Sequence, residues 1–271
     1  MTSILALVRL RNLLLSAAGV AIGGVLAQGS VRFPVPLLLA ILSGVLLGAA
    51  GNVANDIFDR EADRIDKPER PLVSGRVSER AAFLLGGLAG GLGLLAAYFV
   101  SARLLWLAVA ALGVMLVYSP LLKPAGLPGN LAVATIGSLP PVYGALALGA
   151  PRAGLVPFAI ATLLHFAREL VKDVEDMPGD RALGRRTVPL RWGRDTAFVM
   201  ASAALIMFVP ASLAPWFAGW YGARYGFSVL ALNLLIALLI SRLLAKNGQG
   251  TPGLAKLAMA WGILAVLWDR L

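Results

Sequence analysis

The sequence has no cysteine and a single histidine, His165. The lack of cysteine excludes disulfides, thiolate metal sites and a cysteine nucleophile, and one histidine excludes histidine-rich metal centres and most Ser-His-Asp schemes. Charged residues are also scarce, at 14% of 271 residues against about 25% in soluble domains. With 59% hydrophobic residues and a mean hydropathy of +0.81, the chain is neither a soluble globular domain nor a disordered one.

The sequence consists largely of long apolar runs. A helix needs about 20 residues to cross a bilayer core, and nine runs of roughly this length follow one another. We therefore expect an all-α, multi-pass membrane helix bundle with nine transmembrane helices. Little chain is left over, so 1–271 is expected to be a single intramembrane domain. The runs lie at 12–29, 34–56, 80–99, 104–120, 128–149, 154–174, 195–216, 226–245 and 254–271.

Lysine and arginine indicate how the bundle is oriented. With the N-terminus in the cytoplasm, nineteen of the 24 basic residues fall on the cytoplasmic side, as the positive-inside rule requires. A net charge of +10 then predicts contact with anionic membrane lipid. Nucleic acid is not expected as a partner, because no basic face lies outside the apolar runs. The predicted location is the cell membrane.

The acidic residues are concentrated in two segments. Thirteen of the fourteen lie within 55–80 and 165–195. Both segments fall on the cytoplasmic side of the predicted bundle, because an even number of spans separates them. Acids needed only for solubility would be scattered over the loops, so we interpret the two clusters as two halves of one site.

The first cluster forms a stripe if the second span continues as a helix. At 100° per residue, Asn55, Asp59 and Asp63 fall on one face. Carboxylates on one face repel each other unless a cation neutralises them, and hard oxygen ligands favour Mg²⁺. The alternative is a solvated helix end with salt bridges to Arg60 and Arg64.

The second cluster follows the sixth span. Asp173 and Asp176 share a helix face by their three-residue spacing. Pro178 and Gly179 disfavour a continuous helix, so Asp180 is expected on a turn just past the helix end. Taken alone, this cluster is also compatible with a salt-bridge network in a loop.

Two magnesium-binding motifs on one side suggest a diphosphate between them. The spans are rich in glycine, alanine and leucine and can line an apolar pocket, although such residues also suit helix packing. A diphosphate with an apolar tail is a polyprenyl diphosphate. The nearby cations suited to phosphate oxygens are Arg64, Lys67, Arg70, Lys123, Lys172, Arg181, Arg185 and Arg186.

These motifs, in this order, resemble the UbiA superfamily of intramembrane prenyltransferases. The resemblance covers about residues 9–194, and the last three spans match in hydropathy only. The matching residues are Asn55, Asp56, Asp59 and Asp63; Arg70 to Gly75; Tyr118 to Lys123; Asp176 and Asp180; and the N-terminal motif Arg9 to Asn12. In this N-terminal motif, Leu10 stands where the family usually has proline.

The resemblance implies a helix bundle around a central cavity, Mg²⁺ as cofactor, a prenyl diphosphate donor and a lipophilic acceptor. The 168–176 segment is most similar to the archaeal branch that makes digeranylgeranylglyceryl phosphate. For that branch the donor is geranylgeranyl diphosphate, and the acceptor is the hydroxyl of geranylgeranylglyceryl phosphate. The active site would face the cytoplasm.

Residue roles follow as hypotheses. Asn55, Asp59 and Asp63 would hold one Mg²⁺, and Asp176 and Asp180 would hold a second. The four aspartates of these two sets are therefore expected to be catalytic. Asp173 would position the acceptor hydroxyl or take its proton. The residues expected to contact substrate are Arg9, Asn12, Asp56, Arg70, Lys123, Asn130 and Lys172.

Three other functions are alternatives. An aromatic C-prenyltransferase of quinone or chlorophyll synthesis has the same motifs and a different acceptor, such as 4-hydroxybenzoate. A CDP-alcohol phosphotransferase would carry an Asp-Gly-x-x-Ala-Arg pattern, which this sequence lacks. A transporter would place its carboxylates near the middle of the bilayer and not at one face.

Overall fold

A computed structural model of the protein describes residues 2–271, apart from the side chain of Thr2. Every regular secondary-structure element in that part of the chain is a helix. The first seven α-helices are α1 Thr2–Leu7, α2 Leu10–Gln28, α3 Val35–Phe58, α4 Arg60–Asp66, α5 Glu79–Val100, α6 Ala102–Val117 and α7 Leu127–Ser138. The other seven are α8 Pro140–Ala147, α9 Leu155–Glu175, α10 Met177–Ala182, α11 Val188–Trp192, α12 Arg194–Phe217, α13 Ala223–Leu244 and α14 Thr251–Arg270.

Eight helical stretches in the described residues are long and apolar enough to cross a bilayer. They contain α2, α3, α5, α6, α9, α12, α13 and α14, and they match eight of the nine predicted runs to within a few residues. The prediction of an all-α integral membrane protein is confirmed. The single domain over 1–271 stays a prediction, and its Met1 lies outside the described residues.

The fifth predicted run, 128–149, is the one without a spanning helix and consists of the two short helices α7 and α8. The break falls at Leu139, directly before Pro140 and Pro141. Proline has no N–H to donate, and its ring clashes with the carbonyl four residues earlier, so a helix cannot continue unbroken through this pair. The count of nine spans and the cytoplasmic N-terminus stay predictions.

Close contact between α2 and α8 depends on two glycines. A Cβ on Gly23 would overlap the carbonyl group of Pro141, and a Cβ on Gly144 would overlap the carbonyl group of Val20. Small residues allow membrane helices to approach to backbone distance, where dispersion contacts are densest. This crossing forms one wall of the interior space described below.

The motif segments lie at one end of the bundle. The helix α4 continues from α3 and α10 continues from α9, and the two short helices pack against each other. Below them, the largest buried apolar cluster joins α9, α12, α13 and α14 through residues such as Leu164, Phe198 and Leu232. This cluster supports the second acidic segment, whereas the first is supported by a separate apolar cluster that includes Ala50 and Val53 of α3.

Candidate active site

The two acidic motifs have the same backbone arrangement. Asp59 separates α3 from α4 with φ −91° and ψ 3°, and Asp176 separates α9 from α10 with φ −87° and ψ 3°. Helical hydrogen bonding continues across each break, from Asp63 N to Asp59 O at 2.8 Å and from Asp180 N to Asp176 O at 3.0 Å. Each motif therefore presents two aspartates one helical turn apart.

The expected position of Asp180 was wrong. It lies within α10 and not on a turn past the helix end. Pro178 occupies the first turn of α10, where a missing N–H costs nothing because the first amides of a helix have no intrahelical partner. The amide of Gly179 donates outside its own helix, to Oδ1 of Asp66 at 2.9 Å.

Arg185 and Lys123 bring the motifs together. Arg185 donates to Asp59 Oδ1 at 2.7 Å and to Asp180 Oδ1 at 2.9 Å. The ammonium nitrogen of Lys123 lies 3.1 Å from Asp180, 3.7 Å from Asp59 and 3.9 Å from Asp176. Three carboxylates from the two sequence clusters therefore meet around one ammonium group, as the division of acids into two half-sites predicts.

Lys123 reaches this point because α6 does not end regularly. A π-helical turn, Tyr118–Leu122, is followed by a 3-10 turn, Lys123–Ala125. Pro120 lies inside the wide turn, and the amide of Lys123 bonds to the carbonyl of Tyr118, five residues back. Wide turns of this kind often occur at functional sites.

Asp63 lies in an adjoining network. Its carboxylate is paired with Arg70, whose guanidinium also lies 3.1 Å from Asp56. Asp56 is in turn paired with Arg9. Arginine-rich contacts of this type hold carboxylates in fixed orientations, so the three predicted substrate contacts Arg9, Asp56 and Arg70 form one chain beside the carboxylate cluster.

The remaining predicted residues divide into two groups. Asn55 donates to Asp59 and, at 3.1 Å, to Ser119 Oγ, so it belongs to the carboxylate cluster. Asn130 donates to Asp173 at 2.8 Å in a separate buried pair. Asn12 and Lys172 line the cavity described below.

All four motif aspartates are buried, and the pKa values of Asp59, Asp176 and Asp63 depart from that of a free carboxyl group. Burial raises the pKa of Asp59, but Lys123 and Arg185 together lower it by more, so the pKa lies below its usual value. The pKa of Asp176 is lowered in the same way, since three nearby lysines outweigh its burial. Burial dominates for Asp63, whose pKa is raised despite its arginine partner. The exposed fractions are 6% for Asp59, 4% for Asp63, 5% for Asp176 and 0% for Asp180.

The donor set suits a hard divalent cation. Buried carboxylates and an amide oxygen are the ligands that Mg²⁺ prefers. Oδ2 of Asp180 is buried and accepts no hydrogen bond from the described residues, so it has a free coordination direction. No three acidic or histidine side chains of residues 2–271 are placed to hold one metal ion directly. The ammonium group of Lys123 lies where Asp59, Asp176 and Asp180 converge.

An apolar cavity of about 340 Å³ begins beside the carboxylate cluster. Asn55 and Tyr118 line it near the motifs, and Ile22, Tyr221 and Val266 line it towards the other end of the bundle. The motif aspartates themselves do not line it. The expected central cavity is therefore present, with an anionic site at one end and an apolar interior.

Arg185, the residue that bridges the two motifs, has no predicted site role. It is one of the eight nearby cations suited to phosphate oxygens, and it lies outside the family motifs. Lys67, another of the eight, is paired with Asp176. The available signal for Arg185 was its position five residues after Asp180, on the far side of Gly184, whose φ of +66° turns the chain back.

A polytopic helix bundle with paired acidic motifs at the mouth of an apolar cavity defines an intramembrane protein that handles a ligand with an anionic head and an apolar tail. The family model described as UbiA prenyltransferase family matches residues 16–264. The chain belongs to the UbiA prenyltransferase family, which confirms the resemblance that its motifs indicated.

Individual relatives cover almost the whole chain. The digeranylgeranylglyceryl phosphate synthase of Methanothrix thermoacetophila is 34% identical over 253 residues, which are 93% of this chain and 91% of that protein. A solved structure described as digeranylgeranylglyceryl phosphate synthase in membranes aligns with a TM-score of 0.77 and 26% identity, over 99% of this chain and 98% of the other. A UbiA homologue from Archaeoglobus fulgidus, solved with DMAPP and Mg²⁺, shares the fold with a TM-score of 0.72 at 20% identity, over 98% of this chain and 99% of the other.

Proposed function

We propose that this protein transfers a geranylgeranyl group from geranylgeranyl diphosphate to the hydroxyl of geranylgeranylglyceryl phosphate, as a step in archaeal membrane lipid synthesis. The observation that carries the proposal is the meeting of Asp59, Asp176 and Asp180 within 4 Å of Lys123 at the end of an apolar cavity. The digeranylgeranylglyceryl phosphate synthase from Methanothrix thermoacetophila, matched over 91% of its length, supports the choice of acceptor.

The proposal includes Mg²⁺. Asn55, Asp59 and Asp63 would hold one ion, and Asp176 and Asp180 a second. The buried oxygen donors and the free Oδ2 of Asp180 fit such ligation. When bound, the ions would supply positive charge to the diphosphate as it leaves.

The chain's own cations would bind the same diphosphate. Lys123 and Arg185 now balance buried carboxylates, and metal ions at those carboxylates would free them to contact phosphate oxygens. In the reaction the allylic C–O bond breaks and its electron pair goes to the diphosphate. The acceptor oxygen then bonds to the allylic carbon, and its proton passes to the released diphosphate. Cations aimed at the leaving group stabilise the charge that develops on it.

The cavity would hold the prenyl chain and keep water from the allylic centre, which water would otherwise capture. The predicted role of Asp173 towards the acceptor hydroxyl stays a prediction. Its carboxylate accepts a hydrogen bond from Asn130, and this pair does not line the cavity.

We also propose a cell-membrane location with the site facing the cytoplasm, because most lysine and arginine residues lie on that side of the expected topology.

The test uses purified protein in detergent with radiolabelled geranylgeranyl diphosphate, Mg²⁺ and one acceptor at a time. We expect product with geranylgeranylglyceryl phosphate, none with 4-hydroxybenzoate, and none in EDTA. Product with the aromatic acid alone would contradict the lipid assignment and favour the quinone-type alternative. An equal yield in EDTA would contradict the metal site.

A further inference from the structure

The cavity wall carries a second charged group of residues, apart from the motif aspartates. Arg9 lies before α2, Arg168 and Lys172 lie on α9, and Lys256 lies on α14; all four line the cavity. Glu169 is the one carboxylate among the lining residues. We refer to these five residues as the cavity-wall cluster.

Existing contacts neutralise only part of the positive charge. Glu169 is paired with Arg168 and lies 3.3 Å from the ammonium nitrogen of Lys172. Arg9 is paired with Asp56, outside the cavity. Lys256 has no carboxylate within 4 Å among residues 2–271, and Nε of Arg168 is buried without a hydrogen-bond partner in the same described part of the chain. The cluster therefore retains about two uncompensated positive charges.

Uncompensated cations facing an apolar cavity are costly unless an anion joins them. A phosphomonoester carries a charge of about −1.5 to −2 at neutral pH and offers three acceptor oxygens. Its charge matches the excess on the cavity-wall cluster, and its oxygens suit the free donors of Lys256 and Arg168.

The cluster adjoins the site proposed for the diphosphate at Arg9 and Lys172 and extends away from it along α9. Lys172 lies one helical turn before Asp176 and Arg168 two turns before it, which corresponds to rises of about 6 Å and 12 Å along α9. Lys256 comes from a different helix, α14. Two anion-binding regions therefore lie close together: the carboxylate cluster beside the cavity, and the cavity-wall cluster, in which Glu169 is the one carboxylate.

We infer that the cavity-wall cluster binds the phosphate of the acceptor, a phosphomonoester lipid, with Lys256 as its principal contact. This inference rests on the proposed function, in which both substrates carry phosphate. It assigns the cavity-wall cluster to the acceptor phosphate, and the aspartate motifs with Lys123 and Arg185 to the donor diphosphate. Recognition of the acceptor phosphate then places the glycerol hydroxyl between the two regions.

The first experiment compares Lys256→Met with the wild type on two acceptors, geranylgeranylglyceryl phosphate and geranylgeranylglycerol. We expect the KM for the phosphorylated acceptor to rise about tenfold or more, the usual effect of losing a charge-assisted contact. The KM for geranylgeranyl diphosphate and the rate with the unphosphorylated acceptor should stay within about twofold. Lys256→Arg keeps the charge and should keep a KM near that of the wild type. Lys246→Met, which removes an exposed lysine paired with Asp195, is the matched control.

A second readout needs no turnover. Radiolabelled geranylgeranylglyceryl phosphate is bound to purified protein in detergent with EDTA and without donor, and Lys256→Met should lose most of this binding. A wild-type KM in Lys256→Met, or equal binding by variant and wild type, would overturn the inference while leaving the proposed function standing. If the wild type transfers no prenyl group to the phosphorylated acceptor, the proposed function fails. The binding measurement alone then decides whether a phosphomonoester site exists.

Discussion

The backbone amide of Gly179 donates a hydrogen bond of 2.9 Å to Oδ1 of Asp66, which fastens α10 to α4. A side chain at position 179 would not fit there. A Cβ would overlap Oδ2 of Asp66 and lie 2.7 Å from the carbonyl oxygen of Ala62. The close approach of the two short helices, and with it the meeting of the two acidic motifs, depends on a residue without a side chain.

Gly179→Ala should therefore separate the motifs. Relieving the overlap moves α10 away from α4, and catalytic groups displaced by fractions of an ångström lose much of their effect. We expect kcat/KM to fall about tenfold or more and stability to fall by about 1–3 kcal/mol, the range for overpacking. Turnover and apparent Tm in detergent measure the two effects. Gly91→Ala on α5, where a Cβ would meet nothing within 4 Å, should leave turnover unchanged and should not lower the Tm. Wild-type turnover in Gly179→Ala would show that the spacing of the helices does not matter.

Arg185→Gln should damage both stability and activity. The change leaves Asp59 and Asp180 without the guanidinium that now joins them, and removing one partner of a buried ion pair costs about 3–5 kcal/mol. If Arg185 also contacts the leaving diphosphate, we expect kcat/KM to fall about 10²-fold, as for other lost transition-state contacts.

Arg186→Gln is the control for this prediction. Arg186 is exposed and adjacent in sequence, and it was among the cations that sequence reasoning grouped with Arg185. Its variant should stay within about twofold of the wild type. Equal effects in both variants would mean that general positive charge, and not the Arg185 contact, supports activity.

Metal binding predicts a stability change that is independent of turnover. A ligand that binds only the folded state stabilises it by about 2.7 kcal/mol at 100 times its dissociation constant. We expect Mg²⁺ with inorganic pyrophosphate to raise the apparent Tm of the wild type by several degrees, and EDTA to abolish the rise. Asp59→Asn and Asp176→Asn should each lose most of it. Asp195→Asn, an exposed acid outside the motifs, should keep it. Retention of the full rise in both motif variants would rule out these aspartates as ligands.

The membrane helices and the two half-sites could be predicted because their signals are local. Apolar length specifies a span, and four-residue spacing places Asp59 and Asp63 on one helix face. The break before Pro140 also has a local cause. It was missed because the apolar run of 128–149 continues through the two prolines without a charge.

The ion pairs could not be predicted, because they depend on how distant segments dock. Arg185 and Asp59 are 126 positions apart, and the position of Arg185 after Gly184 does not identify Asp59 as its partner. The prediction for the position of Asp180 was wrong for a different reason. Proline ends a helix at one position and starts one at another, and Pro178 was assigned the first role when the short α10 needed the second.

The depth of the cavity should control which prenyl chain is accepted, and Gly262 offers a way to shorten it. Gly262 lines the cavity from α14, and a Cβ there would meet nothing within 4 Å. Gly262→Phe therefore adds a ring to open space without clashing with the backbone. We expect kcat/KM for geranylgeranyl diphosphate to fall about tenfold or more relative to dimethylallyl diphosphate, since a filled pocket discriminates by size. Gly253→Phe, on the same helix but exposed and away from the cavity, should leave the ratio of the two donors unchanged. An unchanged ratio in Gly262→Phe would mean that the donor chain does not run past α14, and the tail would have to lie along another wall of the bundle.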